Sequence, residues 1–410
     1  MKEGPRHAPM DQFPINGDCL EVGGIPLPRL AARAGQTPFY VYDRGVMTNS
    51  VNLLRRTLPH QISLHYAIKA NPMPAVVQHM AGLTDGLDVA SLGEMLAALD
   101  TGIAPGKISF AGPGKSDREL RSAIAASVII NLESAGELER IAAIGEALSL
   151  TPAVSVRVNP DFELKSSGMK MGGGPKPFGV DAEQVPQLLK RLGRLNIDFK
   201  GFHIFSGSQN LRPEAIIEAQ TKTFELAFRL ADDAPSSITW LNIGGGFGIP
   251  YFAGETRLDL IPVAENLEKL VADSSARLPE AEIIIELGRY LVGEAGIYVC
   301  EIVDRKESRG ELFLVTNGGL HHHLAASGNF GQVIRKNYPV ALATRNSAPD
   351  REIVNVVGPL CTPLDILAAH IALPRAEPGD LVAVFQSGAY GYTASPHHFL
   401  SHPAPLQMLV

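Results

Sequence analysis

The chain has 410 residues, of which 45% are hydrophobic and 19% charged, and it carries a net charge of -7. That is an ordinary globular composition, and it gives no reason to expect nucleic acid or an anionic membrane as a partner, although local charge leaves an acidic substrate open. The opening MKEGPRHAPM lacks an apolar core of signal-peptide length, and no apolar run is long enough to span a bilayer, so the expected compartment is the cytoplasm. Cys19, Cys300 and Cys361 are too scattered for a zinc site or a disulfide framework, so any functional cysteine acts alone in a reducing environment.

Residues 1–37 are rich in Gly and Pro, with short apolar pieces such as 19–22, and are expected to pack on something later in the chain. From Pro38 a unit repeats in which a short β-rich run leads through polar or Gly residues into a helix-period segment. The spacing predicts strands near 62–67, 86–90, 107–110, 127–131, 153–158, 199–204, 239–243 and 282–286. Helices are predicted at 75–80, 93–99, 117–126, 135–148, 182–192, 213–231 and 261–278. Eight strand–helix repeats over 38–290 describe a parallel (β/α)8 barrel of the TIM type. An open doubly wound sheet has the same local pattern. The barrel is favoured because nearly every strand ends in polar residues or glycine, as when all strand ends rim one site. Over 291–410 alternating runs separated by turn residues predict a β-sandwich or Greek-key domain, joined by the N-terminal strand and therefore discontinuous.

Lys69 stands out first. The mostly apolar run 62–68 suits a buried strand yet ends in a lysine, which is rarely buried without a partner or a task, and Asn71-Pro72 then stops the strand. The seventh strand ends in Gly244, Gly245 and Gly246, a turn able to wrap an anion in backbone N–H groups, and barrels often bind phosphate there. The eighth ends in Glu286, Leu287, Gly288 and Arg289, the sixth in His203 and Ser206, the fifth in Arg157 and Asn159, and the second in Asp88 ahead of Glu94. A coenzyme with an aldehyde, a flat ring and a phosphate would use this set. His321, His322 and His323 invite a metal reading, but adjacent residues do not readily converge on one ion and no carboxylate or cysteine is near in sequence, so no metal is expected.

The motifs YAIKAN, DVASLGE, RVNPD, FGV, HIFSGSQ, NIGGGFG, ELGR, GPLC and SGAYGYTAS follow one another in this order from about residue 38 to the C-terminus. In this the chain resembles the fold-type III pyridoxal phosphate enzymes, the ornithine and diaminopimelate decarboxylase family with its alanine racemase-like barrel. The resemblance implies a carboxy-lyase in which Lys69 holds pyridoxal 5'-phosphate as a Schiff base, His203 stacks on its ring and Glu286 pairs with its pyridine nitrogen. It places Gly244, Gly245, Gly246, Arg289 and Tyr390 on the phosphate, with Asp88, Arg157, Ser206 and Gly288 also lining the coenzyme. Cys361 would reach into the neighbouring subunit's site as the acid that returns a proton to the α-carbon, which implies a homodimer with shared sites.

Three departures bear on the substrate. Ornithine and diaminopimelate enzymes carry an acid after this cysteine, where the chain has Thr362, and a neutral residue cannot neutralise a distal ammonium. The stretches 318–323 and 170–175, with GPLCTP and SPHHFLSHPAP, most resemble a subgroup that includes the decarboxylase of glutamyl groups carried on an acyl carrier protein and exosortase-associated relatives. Arg335, Tyr338, Thr362 and His322 are the expected substrate contacts, although Arg335 serves equally well as an interface ion pair. The alternatives are a diaminopimelate decarboxylase acting on the free diamino acid and a non-catalytic pyridoxal phosphate-binding regulator. Glu286 argues against a racemase, which would weaken the electron sink at the pyridine nitrogen.

Overall fold

The computed structural model describes residues 7–164, 169–170, 172–346 and 348–410. They form two units. One comprises Val51–Gly248 and Arg257–Gly288, the other Met1–Ser50, Ile249–Thr256 and Arg289–Val410.

The first unit is a closed barrel of eight parallel strands, Ile62–Ala67, Gly86–Val89, Ile108–Phe110, Ile129–Leu132, Ala153–Asn159, Asp198–Ile204, Trp240–Gly245 and Glu282–Leu287. The ring closes where the eighth strand meets the first, with Ile285 opposite Leu64, and where the fourth meets the fifth, with Ile130 opposite Val154. The strands are buried almost throughout because a barrel strand is covered on both faces. The helices that follow begin on polar caps. Ser91, Ser116 and Ser134 accept from the N–H groups of Glu94, Glu119 and Glu137, and Ser116 with Glu119 completes a capping box. One polar chain crosses the interior: Asn131 Nδ2 donates to Ser109 Oγ at 3.1 Å, Ser109 donates to Asp88, and Asp88 lies 3.4 Å from His65 Nδ1.

The second unit is built on the long strand Gly296–Ser308, through which hydrogen bonding joins an eight-stranded sheet. Phe39–Tyr42, expected as the start of the barrel, belongs here instead. All four of its residues are buried, and it pairs antiparallel with Gly296–Ser308 and parallel with Leu406–Leu409. The boundary expected at residue 38 is therefore displaced to about residue 50, and Ile249–Thr256 also belongs to this unit. Ahead of that strand, Phe13, Leu20, Val22, Leu27 and Leu30 share one core with Phe39, Val41, Ile297, Val299 and Phe385. The Leu20 N–H donates to the Ala343 carbonyl at 2.9 Å, so the N-terminal segment is part of this unit. Among the described residues, no helix is long and apolar enough to cross a membrane.

The three histidines 321–323 lie inside this unit with at most 1% exposure, and among the described residues no group of three or more His, Cys, Asp or Glu is arranged to hold a metal ion. His323 Nδ1 accepts from the Ala326 N–H at 3.2 Å, so its Nε2–H donates to Ser387 Oγ at 2.9 Å. His322 Nε2 donates to the Pro403 carbonyl at 2.9 Å, and its Nδ1 faces the Tyr298 hydroxyl at 3.2 Å. Each ring is thereby fixed as a neutral tautomer. The His321 ring lies 3.7 Å from that of His322 and 4.8 Å from that of His402. Burial and the neighbouring rings push His321 down to about 3, and burial pushes His322 to about 4 and His323 to about 3.

Unfolding releases these rings to an ordinary value of 6.5. The unfolded chain then binds more protons than the folded one below that pH, so stability is full above about 6.5 and falls with acid, down to about 4 for His322 and about 3 for His321 and His323, by about 1.4 kcal/mol per ring and per pH unit. Urea midpoints measured between pH 7.5 and about 5 should fall steeply, and less steeply in His323→Gln; parallel slopes would show that this ring does not contribute.

Candidate active site

Lys69 leaves the first barrel strand in a single 3-10 turn, Ile68–Ala70, and its side chain is 46% exposed at the strand's C-terminal end. Its Nζ donates to Glu286 Oε1 at 3.1 Å and lies 5.8 Å from the centre of the Phe205 ring. Glu286, in the eighth strand, is only 5% exposed, and its second oxygen lies 3.2 Å from His203 Nε2 in the sixth. Burial opposes the charge on Glu286, yet Lys69 and His203 outweigh it and hold the carboxyl well below the usual carboxylate range. Glu94 also faces Lys69. Burial raises its carboxyl, against the opposing pull of the Ala90 N–H, which donates to it at 2.7 Å, and of the Lys69 charge.

The glycine run gives the rim its shape. Gly244 and Gly246 have φ of +70° and +72°, and a Cβ on Gly246 would collide with the Gly207 carbonyl. The Gly244 N–H is already turned onto Asn242 Oδ1 at 2.8 Å, so this glycine forms the turn and leaves anion contact to its neighbours. Gly288 matters through close approach, because a Cβ there would lie 2.9 Å from Ala70 Cβ beside the Lys69 turn. Ser206 is half-buried and precedes Gly207–Ser208, which pairs with Met169–Lys170. Of the stretch 170–175, Met171 lies outside the described residues.

Asp88 and Arg157 belong to side networks and not to the Lys69 cluster. Asp88 sits in the barrel interior with His65 and Ser109. Arg157 donates to Glu133 Oε1 at 2.9 Å, while the Gly112 and Gly179 N–H groups donate to the same carboxylate at 2.6 and 3.1 Å. Burial opposes the Glu133 charge, but Arg157 and Lys115 keep it below its ordinary range. Lys115 and Glu137 form a second buried pair at 3.0 Å. The sequence carried no local signal for this quartet, because Lys115 and Arg157 lie in segments distant from the one that holds Glu133 and Glu137.

In the other unit Arg289 donates to the Tyr251 hydroxyl at 2.9 Å, and its guanidinium lies 4.7 Å from the centre of the half-buried Tyr390 ring. Its Nε is buried without a hydrogen-bond partner, as a cation awaiting an anion would be. Tyr338 is buried against Tyr251 and Phe252. Two expected substrate contacts are committed to the fold instead. His322 spends both ring nitrogens on Tyr298 and Pro403, and Arg335 donates to the Ser327 and Ile366 carbonyls and to Asn337 Oδ1 at 2.8–3.2 Å.

Cys361 is exposed in a turn with half-buried Thr362. Asp365 is the turn's anchor, accepting from the Leu320 N–H at 2.6 Å on one oxygen and the Leu360 N–H at 2.8 Å on the other. Sequence reasoning missed it, because an acid four residues beyond a cysteine carries no sign of which backbone groups it will meet.

An exposed amine, a buried carboxylate held charged, and a glycine turn closed to side chains fit a phosphorylated aldehyde coenzyme with a ring nitrogen. The comparisons with known proteins agree. Residues 45–293 match the family described as pyridoxal-dependent decarboxylase, pyridoxal binding domain. The chain is similar to the L-glutamyl-[BtrI acyl-carrier protein] decarboxylase of Niallia circulans, with 37% identity over 91% of this chain and 89% of that protein. It is also similar to the 2-[(L-alanin-3-ylcarbamoyl)methyl]-2-hydroxybutanedioate decarboxylase of Staphylococcus aureus, with 29% identity over 92% and 95%. Its fold resembles that of diaminopimelate decarboxylase from Helicobacter pylori complexed with L-lysine, with a TM-score of 0.82, 27% identity and coverage of 93% and 94%. The chain belongs to the pyridoxal-dependent decarboxylase family and is an amino acid decarboxylase that works with pyridoxal phosphate.

Proposed function

We propose that the chain removes the α-carboxyl of an L-aminoacyl group held as a thioester on an acyl carrier protein, a glutamyl group being the first candidate. In this reading it works in the cytoplasm as a homodimer in which each site takes Cys361 from the neighbouring subunit. One observation carries the substrate assignment. In the Cys361 turn Thr362 is neutral, and the carboxylate of Asp365 is buried with both oxygens occupied by backbone donors. No acid is left in that turn for the distal ammonium of diaminopimelate, lysine or ornithine, and an unpaired buried ammonium is costly. A thioester brings no such charge. The 37% identity to a protein named for a glutamyl carrier substrate supports the same reading.

Pyridoxal phosphate, when bound, supplies the sink for the electron pair released as carbon dioxide leaves the α-carbon. The chain's residues do the remaining work. Lys69 Nζ would hold the coenzyme, and Glu286, kept charged by its neighbours, would hold a proton at the ring nitrogen. His203 would bear on the ring, and Gly245 and Gly246 would offer backbone to the phosphate. Arg289, with its unpartnered Nε, and Tyr390 are proposed as further phosphate ligands. Cys361 Sγ would return a proton to the α-carbon, with Thr362 and Tyr338 beside the substrate.

Borohydride reduction should fix pyridoxal phosphate to the tryptic peptide that contains Lys69, and Lys69→Ala should show no adduct and no turnover. An adduct elsewhere in that variant would refute the assignment. Cys361→Ala should keep coenzyme absorbance while carbon dioxide release falls by about a hundredfold, the usual scale for losing a positioned acid. Unchanged turnover and product would remove its role. Carbon dioxide release from glutamyl-pantetheine, glutamyl-carrier thioester, glutamate, diaminopimelate, lysine and ornithine should be confined to the thioesters. Rapid turnover of free diaminopimelate would overturn the substrate reading.

A further inference from the structure

A groove of about 620 Å³ runs along the barrel between helices Ala135–Leu148 and Val185–Leu192, with Glu133, Ser134, Lys176, Lys190, Arg191 and Arg194 in its lining. Its upper end opens at the rim that carries Lys69. Glu133 and Ser134 directly follow the fourth strand, and Val180–Asp181 pairs with Val158 and Asn159 at the C-terminal end of the fifth. In a parallel barrel all such ends face one side.

The charges in this groove are unbalanced. Glu133 is offset by Arg157 and Arg191 by Glu139, at 2.5 and 2.8 Å, while Asp181, which accepts from Asn159 Nδ2 at 2.8 Å, keeps its negative charge against three remaining cations. Lys176, Lys190 and Arg194 have no carboxylate partner among the described residues, and the last two are exposed. Lys190 and Arg194 stand four residues apart, and Gly193 between them keeps helical dihedrals, so the two cations share a face at the helix's C-terminal end. That end of the helix dipole favours positive charge, which offsets the repulsion between them. This cationic strip lies on a chain whose net charge is -7.

Small anions are held by donors that converge on a buried point. These three cations are spread along a groove that opens to solvent, and their complement is a protein face bearing several carboxylates. A carrier-tethered substrate requires such a face, since the body of the carrier must rest outside the rim while its arm enters the barrel. We propose that this groove docks the acidic face of the carrier protein that presents the substrate. The proposal rests on the carrier-bound reading above and adds where the carrier sits. Attraction of this kind acts mainly on encounter and orientation, and it weakens with ionic strength.

The test uses the holoenzyme and its triple variant Lys176→Glu/Lys190→Glu/Arg194→Glu, with an acidic phosphopantetheinylated acyl carrier protein charged with L-glutamate, and with glutamyl-pantetheine. The variant should raise KM for the carrier substrate by about tenfold or more and leave turnover of glutamyl-pantetheine unchanged. Raising salt from about 50 to about 300 mM should weaken the carrier reaction of the wild type and leave that of the variant nearly flat. The corresponding triple Gln variant should fall between the two. Equal KM values, or parallel losses on both substrates, would overturn the groove while leaving thioester decarboxylation intact. Anisotropy of the labelled, uncharged carrier reads the groove without turnover: weaker binding to the variant supports docking there, and equal or absent binding to both proteins refutes it, even if neither thioester is a substrate.

Discussion

The arrangement on which the rest depends is a carboxylate kept ionised inside the barrel. Glu286 is almost fully buried, and an isolated charge at that depth would take up a proton. It remains an anion because Lys69 meets one oxygen and His203 lies against the other. Lys69 directly follows the first strand, while Glu286 and His203 lie near the ends of the eighth and sixth, and a ring of parallel strands turns all of these ends to one side. The barrel leaves Lys69 half exposed at its rim while the groups that tune it stay buried among the strands.

A second economy concerns how acids are used. Thr362 is neutral, while the next carboxylate in the turn, Asp365, is buried and ties the turn to the backbone of Leu320 and Leu360. One carboxylate cannot serve as both anchor and ligand, since its oxygens are already satisfied. The cysteine turn is thus firmly held, and its outer residues, Cys361 to Leu364, carry no charged side chain. The quartet Glu133, Arg157, Lys115 and Glu137 is another case in which charges hold the rim in place, with each acid met by a base and by backbone donors.

The barrel was legible because its signal is local. Each strand is a short apolar run between Gly or polar residues, each helix has its own period, and the chain places them in strict alternation, so all eight strands lie where the pattern predicts them. The same logic misread Phe39–Tyr42. Four apolar residues ahead of a helix look like another barrel unit, and only pairing with residues more than 250 positions away reveals otherwise. At the site, Lys69, His203 and Glu286 were readable as polar residues at strand ends. The commitment of His322 and Arg335 to neighbouring carbonyls was not, because it depends on segments distant in sequence.

The placement of Phe39–Tyr42 also sets an order of events during synthesis. This strand leaves the ribosome before any of the barrel, yet its partners, Gly296–Ser308 and Leu406–Leu409, emerge only after the last barrel strand. Val51–Gly248 and Arg257–Gly288 can close among themselves while the other unit's sheet still lacks most of its strands. Until then a fully apolar edge is exposed, and exposed edges of this kind seed misassembly. Truncated or stalled chains should therefore aggregate through Phe39–Tyr42, and chaperones that bind short aromatic and β-branched segments would find their target there.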